Sequence, residues 1–289
     1  MHRVGGPLAV TLAVLSYAAA SFAPAGAVTA GNVGAYLAAY PCDGALFAEG
    51  ELCRQLGIAR PARAKYVRSR GELVPRFDHV CPWVNGPVGE RNLRWFLAFL
   101  AAHAALCAYG AAVMLLKLAH EVDSRQVLLT TYARPDGGVV HPSAGLALRW
   151  AIAFFPGTMF LFLLLAVVAL MLLAFTGYHL YLAATNQTTY ESAKRAAMLA
   201  DLVDDALDEE EERQRQQGTG QASGVRGWLA GVRHRRLATA RVRRELEAAG
   251  GGRAALTRNA YDRGCVANLL DALCPERVHA RAARARKDQ

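Results

Sequence analysis

The sequence predicts an all-α polytopic membrane protein, a helical transmembrane bundle with a cytoplasmic, loop-rich segment inserted between its first two spans. Three observations predict it. Apolar residues make up 53% of the 289 residues but gather into three blocks, Leu8 to about Val28, Leu93 to about Leu116 and Trp150 to about Leu182. Each block is long enough to cross about 30 Å of hydrocarbon. Charges lie between and after the blocks, with a formal net charge of +9 carried mostly by arginine, as in the cytoplasmic flanks of membrane proteins. Trp150, Tyr178 and Tyr181 flank the last block as interfacial aromatics. The basic stretches lack interleaved aromatics or a reader helix, which excludes nucleic acid as a partner. The six cysteines are scattered without a CxxC pair, so no disulfide framework is expected.

In chain order, residues 1–30 read as a transmembrane helix. Pro24 interrupts it, and Met1-His2-Arg3 together with Ala25-Gly26-Ala27 also fits a cleaved signal peptide, so both readings stand. Residues 31–92 are polar and increasingly basic. Pro61, Gly71 and Pro75 break any long helix there, and little regular structure is expected over 31–76. Residues 93–117 form the second span. Its alanines Ala98, Ala101, Ala102, Ala104, Ala105 and Ala108 suit close helix packing. His103 and Cys107 within it read as a hydrogen-bonded histidine and a buried thiol, because two donors do not make a metal site. Residues 118–149 are a luminal loop, and 150–182 the third span, where Pro156-Gly157 mark a kink or a late helix start. Residues 183–258 are a cytoplasmic linker. It contains an acidic run (Asp204–Glu212), a Gln/Gly-rich stretch (Arg213–Gly224) and a basic run (Arg226–Arg244), expected to be solvated helix or disorder, with the basic run suited to anionic lipid. Residues 259–289 are a C-terminal element, apolar at helical spacing from Asn259 to Leu273, with a basic tail. The Lys/Arg distribution places 31–92 and 183–289 in the cytoplasm.

The chemistry concentrates in Phe77-Asp78-His79-Val80-Cys81-Pro82-Trp83-Val84-Asn85. A thiol, a base to take its proton and a carboxylate to orient the base are the parts of an activated nucleophile. A thiol has an ordinary pKa near 8.5, so a neighbouring histidine is needed to raise the thiolate fraction at neutral pH.

Asp78-His79-Val80-Cys81-Pro82-Trp83-Val84-Asn85, followed by Val88-Gly89 and Asn92, resembles the DHHC protein S-acyltransferases (palmitoyltransferases). Thr188-Thr189-Tyr190-Glu191 matches that family's TTxE motif, Arg60-Pro61-Ala62-Arg63 its RPxR piece, and Asn259-Ala260-Tyr261-Asp262-Arg263-Gly264 with Asn268 its C-terminal element. Four pieces in family order cover roughly residues 53–273. The resemblance implies transfer of an acyl group from acyl-CoA to Cys81 and on to a cysteine of a substrate protein, with His79 as base and Asp78 as its orienter. It further implies that Trp83 lies against the acyl chain or the CoA, that Thr189 hydrogen-bonds Asp78, that Asn268 docks the C-terminal element onto the membrane domain, and that Arg63, Arg68, Arg91 and Arg94 meet the CoA phosphates. The expected setting is a multi-pass protein of an endomembrane (Golgi or ER) or the plasma membrane with its site in the cytoplasm.

The departures are as specific as the matches. Where the family carries zinc-binding His and Cys, this sequence has Leu56, Tyr66, Val67, Arg70, Leu73, Val80 and Pro87, and only Cys53 remains. One thiolate cannot close a tetrahedral site. No metal is therefore expected, and acyl-CoA is a co-substrate rather than a cofactor. Val67, Leu73, Val74, Val80 and Val88 are expected to hold the segment by packing together. The family also has two helices before this segment where this chain has one, which points to a truncated N-terminus or, failing that, to a three-helix variant. An alternative to the enzyme is an inactive relative that binds acyl-CoA or a partner. A transporter would call for charges within the spans, which carry almost none.

Overall fold

The computed structural model describes residues 2–133, 135, 137–216, 224–249 and 256–287. In order, the chain forms α1 (His2–Phe22), α2 (Val33–Ala39), β1 (Leu52–Cys53), β2 (Ile58–Ala59), β3 (Lys65–Val67), β4 (Glu72–Val74), β5 (His79–Cys81), β6 (Gly86–Val88) and α3 (Leu93–Ser124). There follow β7 (Tyr132–Ala133), β8 (Val139–Val140), α4 (Ala144–Phe154), α5 (Pro156–Ala184), α6 (Thr189–Gln216), α7 (Gly224–Ala249), α8 (Cys265–Leu273) and α9 (Glu276–Lys287). Among the described residues the strands form four separate antiparallel hairpins. Two units divide the chain: Met1–Phe22 with Trp95–Tyr178, and Ala23–Arg94 with His179–Gln289.

The first unit is helical and apolar. α1, α3 and α5 are long and apolar enough to cross a membrane. α3 runs on to Ser124, past the expected end at 117, because the helix continues through polar residues beyond its apolar stretch. The expected single block at 150–182 divides at Phe155. Pro156 opens α5, where its missing N–H costs nothing and its fixed φ suits a first helical position. Small residues allow close approach: a Cβ on Gly110 would stand 2.8 Å from Leu165 Cδ1. His103 Nδ1 lies 2.9 Å from the Phe99 carbonyl, one turn back. Cys107, expected to be buried, is half-buried.

The second unit carries the chemistry. Its core joins Val28, Tyr36, Tyr40, Leu46, Phe47, Cys53 and Leu73 to Val203, Ala238, Val242 and Leu246 of α6 and α7 and Val278 of α9. Residues 31–76, expected to be nearly structureless, hold α2 and two hairpins. Gly57 and Gly71 supply the positive φ at the turns (63° and 65°), and strands this short leave too faint a period to read. The two charge runs are helices that pair with each other: Asp204 Oδ1 lies 2.9 Å from Arg235 Nη2 and Glu210 Oε1 3.1 Å from His234 Nε2. Much of the Gln/Gly-rich stretch between them, 217–223, lies outside the described residues. The basic tail is α9, whose Val278 side packs on α2. Ala25 and Val28 are core residues, and their backbones bond Arg91 and Leu73. The would-be signal-peptide cleavage site is thus built into the fold.

Candidate active site

The site is organised by the β5–β6 hairpin, with His79 opposite Val88, Val80 opposite Pro87 and Cys81 opposite Gly86. In a strand, residues two apart share a face. That places His79 and Cys81 together and turns Val80 away, half-exposed. The turn Pro82-Trp83-Val84-Asn85 closes with the Asn85 N–H donating to the Pro82 carbonyl, and Asn85 takes a φ of 51°, a conformation asparagine tolerates. This turn aims the N–H groups of Trp83 and Val84 at the Cys81 sulfur.

Asp78 Oδ2 lies 2.6 Å from His79 Nδ1. Nδ1–H therefore points at the carboxylate, and Nε2 is left for the Cys81 thiol, to which His79 is hydrogen-bonded. Burial opposes protonation of His79, but its bonds to Asp78 and Cys81 prevail and raise it to about 9. Burial likewise pushes the thiol up, yet His79 and the two backbone N–H groups hold Cys81 below the ordinary thiol value. Asp78 is kept below the usual carboxylate range against its burial by His79 and the Thr189 N–H. All three shifts favour a thiolate–imidazolium pair.

Asp78 is anchored from a distant part of the chain. The Thr189 N–H and hydroxyl donate to it at 2.5 and 3.2 Å. Thr189 opens α6, so the carboxylate sits at a helix N-terminus, where negative charge is stabilised. Thr188 and Glu191 form a capping box: the Thr188 N–H donates to Glu191 Oε2, and the Glu191 N–H to Thr188 Oγ1. Glu191 also receives Arg63 bidentately at 2.5 and 2.9 Å, and the two side chains are 2% and 1% exposed. Arg63 and Arg76 both donate to Asn186 Oδ1 at 3.0 Å. Arg63, Arg76 and Asn186 all adopt positive φ (65°, 42° and 50°), a backbone cost kept only where surroundings enforce it. Asn186 Nδ2 reaches the Tyr261 carbonyl, and Asn268 Nδ2 the Ala184 carbonyl and Asp262. The RPxR, TTxE and C-terminal pieces are thus one buried knot behind Asp78.

Of the expected site residues, Asp78, His79 and Cys81 come together. Trp83 is 76% exposed at the turn tip. Thr189 bonds Asp78, and Asn268, fully buried, joins the C-terminal element to the Ala184 carbonyl at the end of α5, the two roles that the resemblance implied. Arg63, expected to face CoA phosphates, is buried in its pair with Glu191. Sequence reading missed His179, a buried side chain whose Nδ1 lies 3.8 Å from Asp78 Oδ2 and whose ring is 5.7 Å from that of His79. Its signal was a titratable residue within an apolar span. Also missed was Glu90, buried and bonded to the Tyr40 hydroxyl and His279 Nε2.

The family's zinc does not fit the residues present. Cys53, Tyr66 and Leu73 belong to one apolar core. Val67 packs with Val74, Phe77 and Ala25. Arg70 donates to the Asn85 carbonyl and so ties the β3–β4 turn to the β5–β6 turn. Packing and hydrogen bonds connect these hairpins, although Val80 takes no part, because the strand period turns it outward.

The family model of the DHHC palmitoyltransferases matches residues 46–196, just over half of the chain. The chain belongs to this family. It is 34% identical over 166 residues to the palmitoyltransferase ZDHHC4 of Bos taurus, covering 57% of this chain and 48% of that protein. The ZDHHC4 of Rattus norvegicus is 35% identical over 169 residues with the same coverage. The palmitoyltransferase SWF1 of Yarrowia lipolytica is 36% identical over 112 residues, 39% of this chain and 29% of that protein. The chain thus spans about half the length of the ZDHHC4 proteins it matches. In this DHHC-family chain the tetrapeptide reads Asp78-His79-Val80-Cys81, and the position that departs from the family name is the one facing away from the thiol.

Proposed function

We propose that this membrane protein is a protein-cysteine S-acyltransferase that takes a long-chain acyl group from acyl-CoA and delivers it to a cysteine of a substrate protein. The observation that carries the reading is the line Asp78–His79–Cys81, with Nδ1 of His79 fixed on the carboxylate and the thiol on the other side of the ring. The Cys81 thiolate attacks the thioester carbonyl, and the C–S bond to CoA breaks. The departing CoA thiolate takes the proton from His79 Nε2. Neutral His79 then accepts the proton of an incoming protein thiol, which attacks the Cys81 thioester. Cys81 leaves as a thiolate, stabilised by the re-formed imidazolium and the N–H groups of Trp83 and Val84. Asp78 keeps its charge throughout and offsets the imidazolium.

Trp83, exposed beside the nucleophile, is suited to lie along the acyl chain. The reaction needs no metal, and the hairpins are held without zinc. The site faces the cytoplasm of an endomembrane or the plasma membrane, in keeping with the arginine-rich flanks. The test is incubation of the purified protein with a clickable acyl-CoA. Hydroxylamine-sensitive label is expected on the wild type and its loss in Cys81→Ser. An unlabelled wild type, or equal label on the variant, would leave the inactive relative as the better reading.

A further inference from the structure

α8 is amphipathic with its polarity reversed. Its polar residues face inward: Asn268 bonds Ala184 and Asp262, and Asp271 receives Arg263 at 3.1 Å and Arg281 at 2.6 and 2.8 Å. Three of its apolar residues face outward, Val266 73%, Leu270 36% and Leu273 43% exposed, while Ala272 packs inside. An exposed apolar strip on a helix whose polar side chains are buried marks a surface that meets something apolar.

Two further observations say what that is. α8 is bound to the ends of two membrane-crossing helices: Asn268 holds the carbonyl of Ala184, the last residue of α5, and Arg94, the second residue of α3, donates to the Leu273 carbonyl at 3.4 Å. All of these groups lie within the second unit. The strip is therefore carried at the ends of two helices that are long and apolar enough to cross a membrane. Secondly, α9 lays a stripe of Arg277, Arg281 and Arg284 beside it, one helical face apart in sequence, with the small Ala280 leaving room between. These residues, with Arg263, Val266 and Leu270, line a groove of about 760 Å³. Arg263 and Arg281 share Asp271, while Arg277 and Arg284 form no ion pair among the described residues. The groove thus joins an apolar wall to uncompensated guanidinium groups.

We propose that the α8–α9 groove binds an anionic phospholipid of the bilayer, its phosphate against Arg277 and Arg284 and its acyl chains along Val266, Leu270 and Leu273. Guanidinium groups suit phosphate oxygens through paired N–H donors, and the apolar strip supplies what a free phosphate could not use. The site is separate from the Cys81 hairpin and does not depend on the acyltransferase reading.

The test is native mass spectrometry of the full chain in detergent micelles doped with phosphatidylglycerol or phosphatidylcholine. Retention of phosphatidylglycerol is expected to exceed that of phosphatidylcholine by more than about tenfold, from the attraction of two basic side chains to an anionic headgroup. Arg277→Gln/Arg284→Gln should remove the preference, and Val266→Asn/Leu270→Asn should lower retention with the arginines intact. All four side chains are at least a third exposed or open to the groove, so both variants are expected to fold, and unchanged melting checks this. Equal retention of the two lipids, or by the arginine variant, would overturn the proposal. So would displacement of the lipid by millimolar inorganic phosphate, which would make the groove a free-anion site. Displacement by acyl-CoA with a raised KM in the arginine variant would assign the groove to the acyl donor and overturn it as well.

Discussion

Replacing Glu191 with glutamine should destabilise the protein more than any change at the thiol itself. Glu191 is the carboxylate of the buried knot. It takes both arms of Arg63 at 2.5 and 2.9 Å and caps α6 through the Thr188 N–H. Glutamine keeps the shape but leaves Arg63 charged and buried beside Arg76, whose own guanidinium is already disfavoured by burial and by Arg63. Removing one partner of a buried pair costs about 3–5 kcal/mol, because the other charge is left uncompensated. At roughly 2–4 °C per kcal/mol for a chain of this order, the melting midpoint should fall by about 6–20 °C. The assay is thermal unfolding of purified Glu191→Gln in detergent at a fixed scan rate. Arg63→Met/Glu191→Met removes both charges and should recover much of the loss. A midpoint within about 2 °C of wild type, well under the effect expected for a buried pair, would refute the knot as the support of Asp78. A double variant no better than the single would refute the charge argument.

Alkylation of Cys81 by iodoacetamide, followed by peptide mass mapping, should show a midpoint below the ordinary thiol value. His79→Ala should return it toward about 8.5. Because the folded-state value for His79 is raised to about 9, the stability it gains from Asp78 is complete below about pH 6.5 and is lost as pH climbs through about 9. Asp78→Asn should flatten that loss in a melting-against-pH series. Gly89→Ala should destabilise by about 1–3 kcal/mol, since its Cβ would stand 2.5 Å from Val74 Cγ1 and 3.1 Å from the Pro75 carbonyl; an unchanged melt would show that the β6 exit yields. Elemental analysis should find no stoichiometric zinc, and chelator should leave the melt unaltered; two zinc ions per chain would refute metal-free packing of the hairpins.

The arrangement of His79 and Cys81 shows how far residue spacing can be read. Two residues apart, they share a face only if the backbone is extended, and three-residue strands joined by the turn from Pro82 to Asn85 leave too little pattern to call. The helical hairpin of α6 and α7 was hidden for a different reason. Each charge run by itself suits solvent, and only their pairing, with Val203, Ala238, Val242 and Leu246 inside, makes them part of a core. Arg63 was misjudged because an arginine beside other arginines reads as a surface group until Glu191, 128 positions away, comes to it.

By itself the sequence determined the membrane class, since three blocks of apolar residues can satisfy their backbone in lipid only as helices. It also singled out Asp78, His79 and Cys81 as the candidate centre, because few side chains can perform that chemistry. The tertiary structure decided what fixes the site. Long-range hydrogen bonds from Thr189, Asn186 and Asn268 depend on where the chain returns. It also decided that Tyr66, Val67 and Leu73 pack in apolar clusters, because whether they fill a core or face solvent depends on neighbours that local sequence does not specify.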